Sequence, residues 1–333
     1  INPAVVSIQR VDTTPTNATS VNFIVTFSEN VTGVDASDYT VTRSGALTGG
    51  LVTIIEDNGS SYIVGVSAYS DVGTLRLDLT DDNTIQDDVG NYLGGSGVGN
   101  GSFIAGQIYS IDLIGPTVTS ITRAGSNPTD ATSVAFNVLF SEDVQGVDTT
   151  DFVLTKTVSE GTVASVAGTG SSYTVTVNNY SGEGTLRLDL TDNDSILDMV
   201  GTGNPLVGDQ NADGSFTSGE AYDIDLIAPT VSSIVRTDTN PSNSAGVDFT
   251  VTFSEAVTGV DAADFIVTQT VSGGTVSHVT GSGASYSVTV NAYTGEGTLR
   301  LDVTDDDTII DALGIALGGA GVDNGDYSAG EAY

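Results

Sequence analysis

Acidic residues with the spacing of metal ligands cluster at three places, each directly after a Leu-Arg-Leu segment. The clusters contain Asp81, Asn83 and Asp87; Asp192, Asp194 and Asp198; and Asp305, Asp307 and Asp311. A loop can fold such oxygens around one point, and Ca²⁺ accepts six to eight oxygen ligands in flexible geometry. With 43 Asp and Glu against 8 Lys and Arg, protein cations cannot neutralise these carboxylates. The spacing predicts calcium in each loop; the alternative is that Asp and Asn only form turns and cap their own backbone.

A second candidate calcium site occurs once, in the segment 209–220. Its pattern is that of the twelve-residue calcium loop of EF-hands, with oxygen-bearing residues at the ligand positions: Asp209, Asn211, Asp213, Ser215, Thr217 and Glu220. Gly214 stands where such a loop turns sharply. The flanks do not predict the two helices of an EF-hand, because Gly203-Asn204-Pro205 precedes the segment and a strand pattern follows it. The equivalent stretches around Gln107 and Glu331 lack the pattern, so one additional ion is predicted here alone.

The composition excludes several other chemistries. There is no Cys and a single His, so disulfides, thiolate metal sites and thiol nucleophiles are absent and histidine-based catalysis is disfavoured. A net charge of −35 would repel the phosphates of nucleic acids. No apolar run approaches the ~20 residues of a membrane-spanning helix. Because the acids recur without any other catalytic residue, we expect a protein that is not an enzyme and has no catalytic residue.

One sequence unit occurs three times. Phe27, Phe140 and Phe253 each begin a Phe-Ser-Glu motif, at a spacing of 113 residues. The string Gly-Thr-Leu-Arg-Leu-Asp likewise begins at Gly73, Gly184 and Gly297. Ile-Gly-Pro at 114–116 and Ile-Ala-Pro at 227–229 are interpreted as linkers, since Pro cannot donate to a sheet ladder. We predict three domains with the bounds 1–113, 114–226 and 227–333.

Each unit carries the period-two pattern of half-buried strands. Apolar residues alternate with mostly polar ones in the segment 21–28: Val21, Phe23, Val25 and Phe27 with Asn22, Ile24, Thr26 and Ser28. The other units repeat this alternation. About seven such segments, separated by Gly, Asn, Asp and Ser, fill each unit, and no helical pattern of useful length occurs. Two antiparallel sheets packed face to face can bury these apolar faces. The predicted fold class is therefore all-β.

Six of the eight basic residues occupy two recurrent positions: Arg10, Arg123 and Arg236, and Arg76, Arg187 and Arg300. Fixed positions suggest defined ion pairs with recurrent acids. Arg76 and Asp78 share a strand face, and we expect pairing across to a neighbouring strand. The alternative is that these are solvated rim charges, each worth less than ~1 kcal/mol.

The recurrent motifs resemble those of bacterial immunoglobulin-like repeats. The resemblance rests on the Pro-Thr-Val start, the Val-x-Phe-x-Val-x-Phe-Ser-Glu strand, the Gly-Val-Asp-x-x-Asp-Phe turn and the closing Tyr-x-Ile-Asp-Leu-Ile-Ala-Pro. Such repeats occur in tandem in large secreted or surface-anchored adhesins. The resemblance implies an extracellular, rod-like array that often uses calcium, and it names no ligand.

We therefore expect three tandem immunoglobulin-like β-sandwiches arranged end to end in a secreted bacterial surface protein, with Ca²⁺ as cofactor. The expected role is structural, as an adhesin stalk or a filament protomer whose partners are further copies of the same repeat. The alternative is a ligand-binding adhesin module that recognises a glycan or a protein through its end loops. The third unit reaches only Tyr333, where the first two continue into Ile-Asp-Leu, so its final strand is expected to be truncated. Residues after 333, or a strand of another chain, would then complete it.

Overall fold

The computed structural model describes residues 1–207 and 214–333, and these residues form antiparallel sheets with three single-turn 3-10 segments. The all-β prediction is thus confirmed. The strands of repeat 1 are Val5–Arg10 (β1), Ser20–Phe27 (β2), Val31–Thr32 (β3), Tyr39–Gly45 (β4), Thr48–Asp57 (β5), Ser61–Ser70 (β6), Gly73–Leu79 (β7), Gln86–Asp87 (β8) and Ile108–Ile111 (β9). They pair as a four-stranded sheet in the order β1-β2-β6-β5, a three-stranded sheet β4-β7-β9, and a short ladder β3-β8.

Repeat 2 has the same arrangement. Its strands are Val118–Arg123 (β10), Ser133–Phe140 (β11), Val144–Gln145 (β12), Phe152–Lys156 (β13), Ser159–Thr169 (β14), Ser172–Ser181 (β15), Glu183–Leu190 (β16), Leu197–Asp198 (β17) and Ala221–Asp225 (β18). The sheets are β10-β11-β15-β14, β13-β16-β18 and β12-β17. In both repeats the strands of four or more residues match the seven that the periodicity predicts.

Repeat 3 keeps this order but joins neighbouring strands. Its strands are Val231–Arg236 (β19), Gly246–Val257 (β20), Phe265–Gln269 (β21), Ser272–Thr294 (β22) and Leu299–Val303 (β23). They form the sheets β19-β20-β22 and β21-β23. Near the end of the repeat, single bridges link Val303 to Tyr327 and Arg300 to Ala332.

Each repeat contributes its own hydrophobic core, and alternate residues of the longest strands fill it. In β2, Val21, Phe23 and Val25 are fully buried, as the period-two pattern predicts. The ring of Phe23 packs edge-to-face against Tyr109, with centroids 5.1 Å apart. The same contact recurs between Phe136 and Tyr222 at 5.2 Å. Three core clusters of this kind support the three predicted domains, whose bounds stay a prediction.

The 3-10 turns account for two of the recurrent acids in each repeat. Asp35 caps the turn Ala36–Asp38, and the side chain of Asp38 accepts a hydrogen bond from the backbone N–H of Asp35. This reciprocal capping recurs at Thr149–Asp151 and Ala262–Asp264. Gly33, just before the turn, has φ +83°, and a Cβ there would lie 2.4 Å from the carbonyl oxygen of Thr84. Only glycine fits this position.

Candidate metal centre at the repeat junctions

The first acid of each predicted calcium loop binds backbone N–H groups. Asp81 is buried, and its two carboxylate oxygens accept hydrogen bonds from the N–H groups of Asn83 and Gly101, each at 3.1 Å. Asp192 and Asp305 make the equivalent pairs of bonds in the other repeats. These contacts support the turn-forming role, because both oxygens already have donors. Calcium binding by these loops stays a prediction.

The next residues of the same loops also hold the backbone in place. Asn83 adopts a left-handed conformation with φ +67°, and its side-chain oxygen accepts a hydrogen bond from Gly97 N–H at 3.2 Å. Asp307 is also left-handed, at φ +65°, and accepts from Gly321 N–H. Asp194 has φ +63°. The loop after each Leu-Arg-Leu strand is therefore closed by side-chain-to-backbone hydrogen bonds.

The EF-hand-like segment falls partly outside the described residues, since Asp209, Asn211 and Asp213 lie in 208–213. Within the described part, Ser215 accepts a hydrogen bond from the backbone N–H of Asp192 at 3.0 Å. Glu220 accepts one from the N–H of Arg123 at 2.8 Å, and Arg123 Nε lies 3.8 Å from the same oxygen. Gln107 and Glu331 accept the matching bond in repeats that lack the calcium pattern. The contact of Glu220 with Arg123 therefore does not depend on the calcium-loop pattern. An ion bound by this segment stays a prediction.

The last acids of the second and third predicted loops, Asp198 and Asp311, lie elsewhere, at the junctions between repeats. Asp112, Glu142 and Asp198 place one carboxylate oxygen each so that all three oxygens lie within 4.8 Å of one another. Asp225, Glu255 and Asp311 form the same arrangement at the next junction. We call these the first and second junction clusters. Each combines one acid from the end of a repeat with two from the repeat that follows.

Different elements position the three acids of the first junction cluster. Asp112 follows β9, and its backbone N–H donates to the carbonyl of Thr16 at 3.0 Å, so it is fixed to repeat 1. Its Oδ1 accepts from Ile114 N–H at 3.1 Å, which turns the chain into the linker. Glu142 is the last residue of the Phe-Ser-Glu motif that ends β11, and Asp198 lies in β17. The register between β12 and β17, which pairs Val144 with Asp198, brings the two acids of repeat 2 together.

Sequence reasoning predicted only part of these clusters. Asp198 and Asp311 were predicted as ligands, although of their own loops. Glu142 and Glu255 belong to the recurrent Phe-Ser-Glu motif, and Asp112 and Asp225 each lie two residues before a linker, but none of these four was predicted as a ligand. The available signal was the recurrence of an acid just before each linker. In repeat 1 the equivalent pair, Glu29 and Asp87, is joined by no third carboxylate in the part of the chain that the structure describes.

The junction clusters are electrostatically unfavourable without a cation. Burial raises the pKa of Glu142 above its usual range, and the charges of Asp112 and Asp198 raise it further. Burial likewise raises the pKa of Glu255, with Asp225 and Asp311 adding to the shift. Among the ion pairs of residues 1–207 and 214–333, none involves these carboxylates. Clustered carboxylate oxygens are the ligands preferred by hard divalent cations such as Ca²⁺.

The third repeat matches a known family model. Residues 225–326 match the family model of the bacterial Ig-like domain. The predicted resemblance is thereby confirmed over this span, which includes all three acids of the second junction cluster. The bacterial Ig-like domain match also agrees with the antiparallel sheets of repeat 3. No curated protein matches the sequence.

Several solved structures are similar to the chain at low identity and with low TM-scores. InvD of Yersinia pseudotuberculosis is 10% identical, with a TM-score of 0.36, over 91% of this chain and 94% of that one. Invasin, described as a bacterial integrin-binding protein, is 13% identical with a TM-score of 0.30, over 90% and 56% of the two chains. The N-terminal part of the S-layer protein SbsC is 13% identical with a TM-score of 0.23, over 68% and 44%. The chain thus spans about half the length of the invasin and SbsC chains, and values this low say nothing about shared function.

Two further features bear on function. None of the helical segments in the described residues has the length and hydropathy that crossing a membrane requires. His278 is exposed on β22.

Proposed function

We propose that the chain is a structural segment of a secreted bacterial surface protein, in which tandem Ig-like domains act as a spacer or a filament protomer. Calcium would stiffen the array, and further copies of the repeat would be its partners. The bacterial Ig-like domain match of residues 225–326 supports the surface role.

The observation that carries the proposal is that each linker is bound to the repeat that follows it. The carbonyl of Pro116 accepts a hydrogen bond from Val207 N–H at 2.8 Å. Pro3 and Pro229 accept the equivalent bonds from Gly94 and Gly318, each at 2.9 Å. A linker that is hydrogen-bonded in this way cannot act as a free tether, since its backbone is held at a fixed place on the domain surface.

The first junction also has direct contacts between repeats. Asn17 of repeat 1 donates a hydrogen bond from Nδ2 to the hydroxyl of Thr202 at 3.2 Å, and its Oδ1 accepts from Thr202 N–H at 3.2 Å. Asn204 of repeat 2 donates to the carbonyl of Asp112 at 3.1 Å. Contacts of this kind restrict the angle between neighbouring domains, as a spacer requires.

Small-angle scattering of the 333-residue chain tests the proposed role. With a strand rise of ~3.3 Å and strands of seven to nine residues, each domain should be about 25–30 Å long, and three in line should give a particle of about 75–90 Å. A compact globular particle, with or without calcium, would contradict the spacer role. The Asn17→Ala variant should increase the flexibility of the first junction without unfolding either domain, because Asn17 is only partly buried.

Calcium is proposed as the stiffening ion because the chain carries a net charge of −35 and few basic residues to offset it. One site that binds only the folded state adds about 2.7 kcal/mol when free calcium is one hundred times its dissociation constant. Melting curves with 2 mM CaCl2 and with a chelator measure this contribution. Identical curves would exclude calcium as a stabilising ligand.

A further inference from the structure

We propose that the second junction cluster is a divalent-cation site shared between successive repeats, and that it binds calcium more tightly than the first cluster does. The proposal deepens the proposed structural role, and only its consequence, the stiffening of the chain, rests on that role. The site differs from the loop sites that the sequence predicts, because its ligands come from two repeats.

A buried oxygen without a donor points to a ligand at the second cluster. Asp311 is 4% exposed, and its Oδ1 accepts hydrogen bonds from the N–H groups of Leu313 and Ile315 at 2.8 and 2.9 Å. Its Oδ2 is buried and has no hydrogen-bond partner. Leaving a buried carboxylate oxygen unpartnered is costly, since the desolvation of the charge is not compensated. A cation bound between Asp311, Glu255 and Asp225 would satisfy it.

In the first cluster, the equivalent carboxylate oxygen has a hydrogen-bond donor from the protein itself. Asp198 Oδ2 accepts a hydrogen bond from Nδ2 of Asn204 at 2.7 Å. In repeat 1 the equivalent bond runs from Asn91 to Asp87 at 2.8 Å. Ile315 takes the place of these asparagines in repeat 3, because its carbonyl binds Asp311 N–H as the carbonyls of Asn91 and Asn204 bind theirs. The change from Asn to Ile therefore leaves Asp311 Oδ2 free for a metal.

The dimensions of both clusters fit calcium. Oxygens bound to one Ca²⁺ lie about 2.4 Å from the ion, so any two of them are at most about 4.8 Å apart. The three carboxylate oxygens of each cluster meet this limit. Three carboxylates supply fewer than the six to eight oxygens that Ca²⁺ takes, so water or backbone carbonyls complete the shell. Magnesium should bind less well, because it requires near-octahedral geometry at about 2.1 Å and dehydrates reluctantly.

The test is calcium titration of the full 333-residue chain by calorimetry, after removal of metal. Glu255→Gln removes one charged ligand of the second cluster only, and Glu142→Gln does the same at the first. Glu56→Gln, an exposed acid on β5, is the matched control. We expect Glu255→Gln to weaken the tightest binding step at least tenfold, Glu142→Gln to weaken a later step, and Glu56→Gln to change neither.

The Ile315→Asn variant tests the order of affinity. It would give Asp311 Oδ2 a donor and should weaken the second site toward the affinity of the first cluster. Urea unfolding in chelator checks that each variant folds, so a folded Glu255→Gln variant with unchanged calcium binding would overturn the proposal. Equal affinity of the wild-type chain for Mg²⁺ would overturn its preference for calcium.

The outcomes separate this inference from the proposed function. An extended scattering envelope with no change in calcium binding for Glu255→Gln would leave the spacer role intact and refute the site at the second junction cluster. A compact particle whose tightest calcium step is lost in Glu255→Gln would confirm the second site and refute the spacer role.

Discussion

Arg187 and Asp189, two residues apart on β16, form a bidentate ion pair, with Arg187 Nε 2.7 Å from Asp189 Oδ1 and Nη2 3.0 Å from Oδ2. Asp189 is buried and also accepts a hydrogen bond from Thr155 on the neighbouring strand at 2.6 Å. Arg76 with Asp78 and Arg300 with Asp302 repeat the geometry. The predicted ion pairs of these recurrent arginines are therefore confirmed, although each arginine pairs with an acid of its own strand and not with one of a neighbouring strand.

The first prediction concerns the contribution of this pair to stability. Arg187→Met should lower the free energy of unfolding by about 1 kcal/mol, because Asp189 loses two charge-assisted hydrogen bonds while solvent at the half-exposed arginine screens part of the effect. Arg187→Lys should lose less, since it keeps the charge but not the bidentate geometry. Urea unfolding in chelator measures both. A loss for Lys that equals the loss for Met would contradict the role of charge.

The second prediction is a dependence on pH at the equivalent pair of repeat 3. Burial raises the pKa of Asp302, but the hydrogen bonds from Arg300 and Thr268 and the charge of Arg300 lower it more, so the pKa lies below its usual range. A depressed carboxyl pKa stabilises the fold above the unfolded-state pKa of about 3.9 and loses this contribution as the pH falls toward the folded-state value. The difference in melting temperature between wild type and Asp302→Asn should thus be constant from pH 7 to 5 and shrink below pH 4.

The melting curves for this comparison are recorded in chelator, so that metal binding does not contribute. The control is Glu56→Gln, because Glu56 is outside the ion pairs of the described residues. Its difference in melting temperature from wild type should not change below pH 4. If the difference in melting temperature between wild type and Asp302→Asn grows as the pH falls, the depressed pKa of Asp302 is contradicted.

The third prediction compares two buried tyrosines of repeat 1. The hydroxyl of Tyr109 donates to the carbonyl of Asn22 at 2.8 Å and accepts from the N–H groups of Val11 and Asp12 at 3.1 and 2.9 Å. The hydroxyl of Tyr62 donates to Val31 at 2.8 Å. Tyr109→Phe should cost about 2–3 kcal/mol and Tyr62→Phe about 1 kcal/mol, because more backbone groups lose their partner in the first variant. Equal losses in urea unfolding would show that the extra bonds of Tyr109 add nothing.

The fourth prediction separates turn formation from calcium binding in the loop after β7. Asp81→Ala should lower the free energy of unfolding by about 1–3 kcal/mol even in chelator, because the N–H groups of Asn83 and Gly101 lose their acceptor. Asp88→Ala, a change of an exposed acid directly after β8, should have almost no effect. If Asp81 also binds calcium, its loss will grow when calcium is added. An Asp81→Ala variant as stable as wild type in chelator would contradict the turn-forming role.

The sequence by itself determined the elements and the repeat. Alternation along β2 or β11 is a local pattern, because successive side chains of a strand point to opposite faces, and so the buried set that includes Phe23 and Phe136 could be predicted without a structure. The recurrence of Phe-Ser-Glu at fixed spacing indicated one fold used three times. The turns were also predictable in kind, since Asp and Asn bind nearby backbone N–H groups.

Only the tertiary structure decided which acids meet. Asp112, Glu142 and Asp198 are far apart in the chain, and they converge because β12 pairs with β17 while the linker is hydrogen-bonded to the following repeat. Spacing along the sequence carries no information about such contacts, so it favoured acids that are neighbours in one loop. The sequence shows that repeat 3 has Ile315 at the position where repeat 2 has Asn204. That this difference leaves a buried oxygen of Asp311 without a donor is visible only in the folded chain.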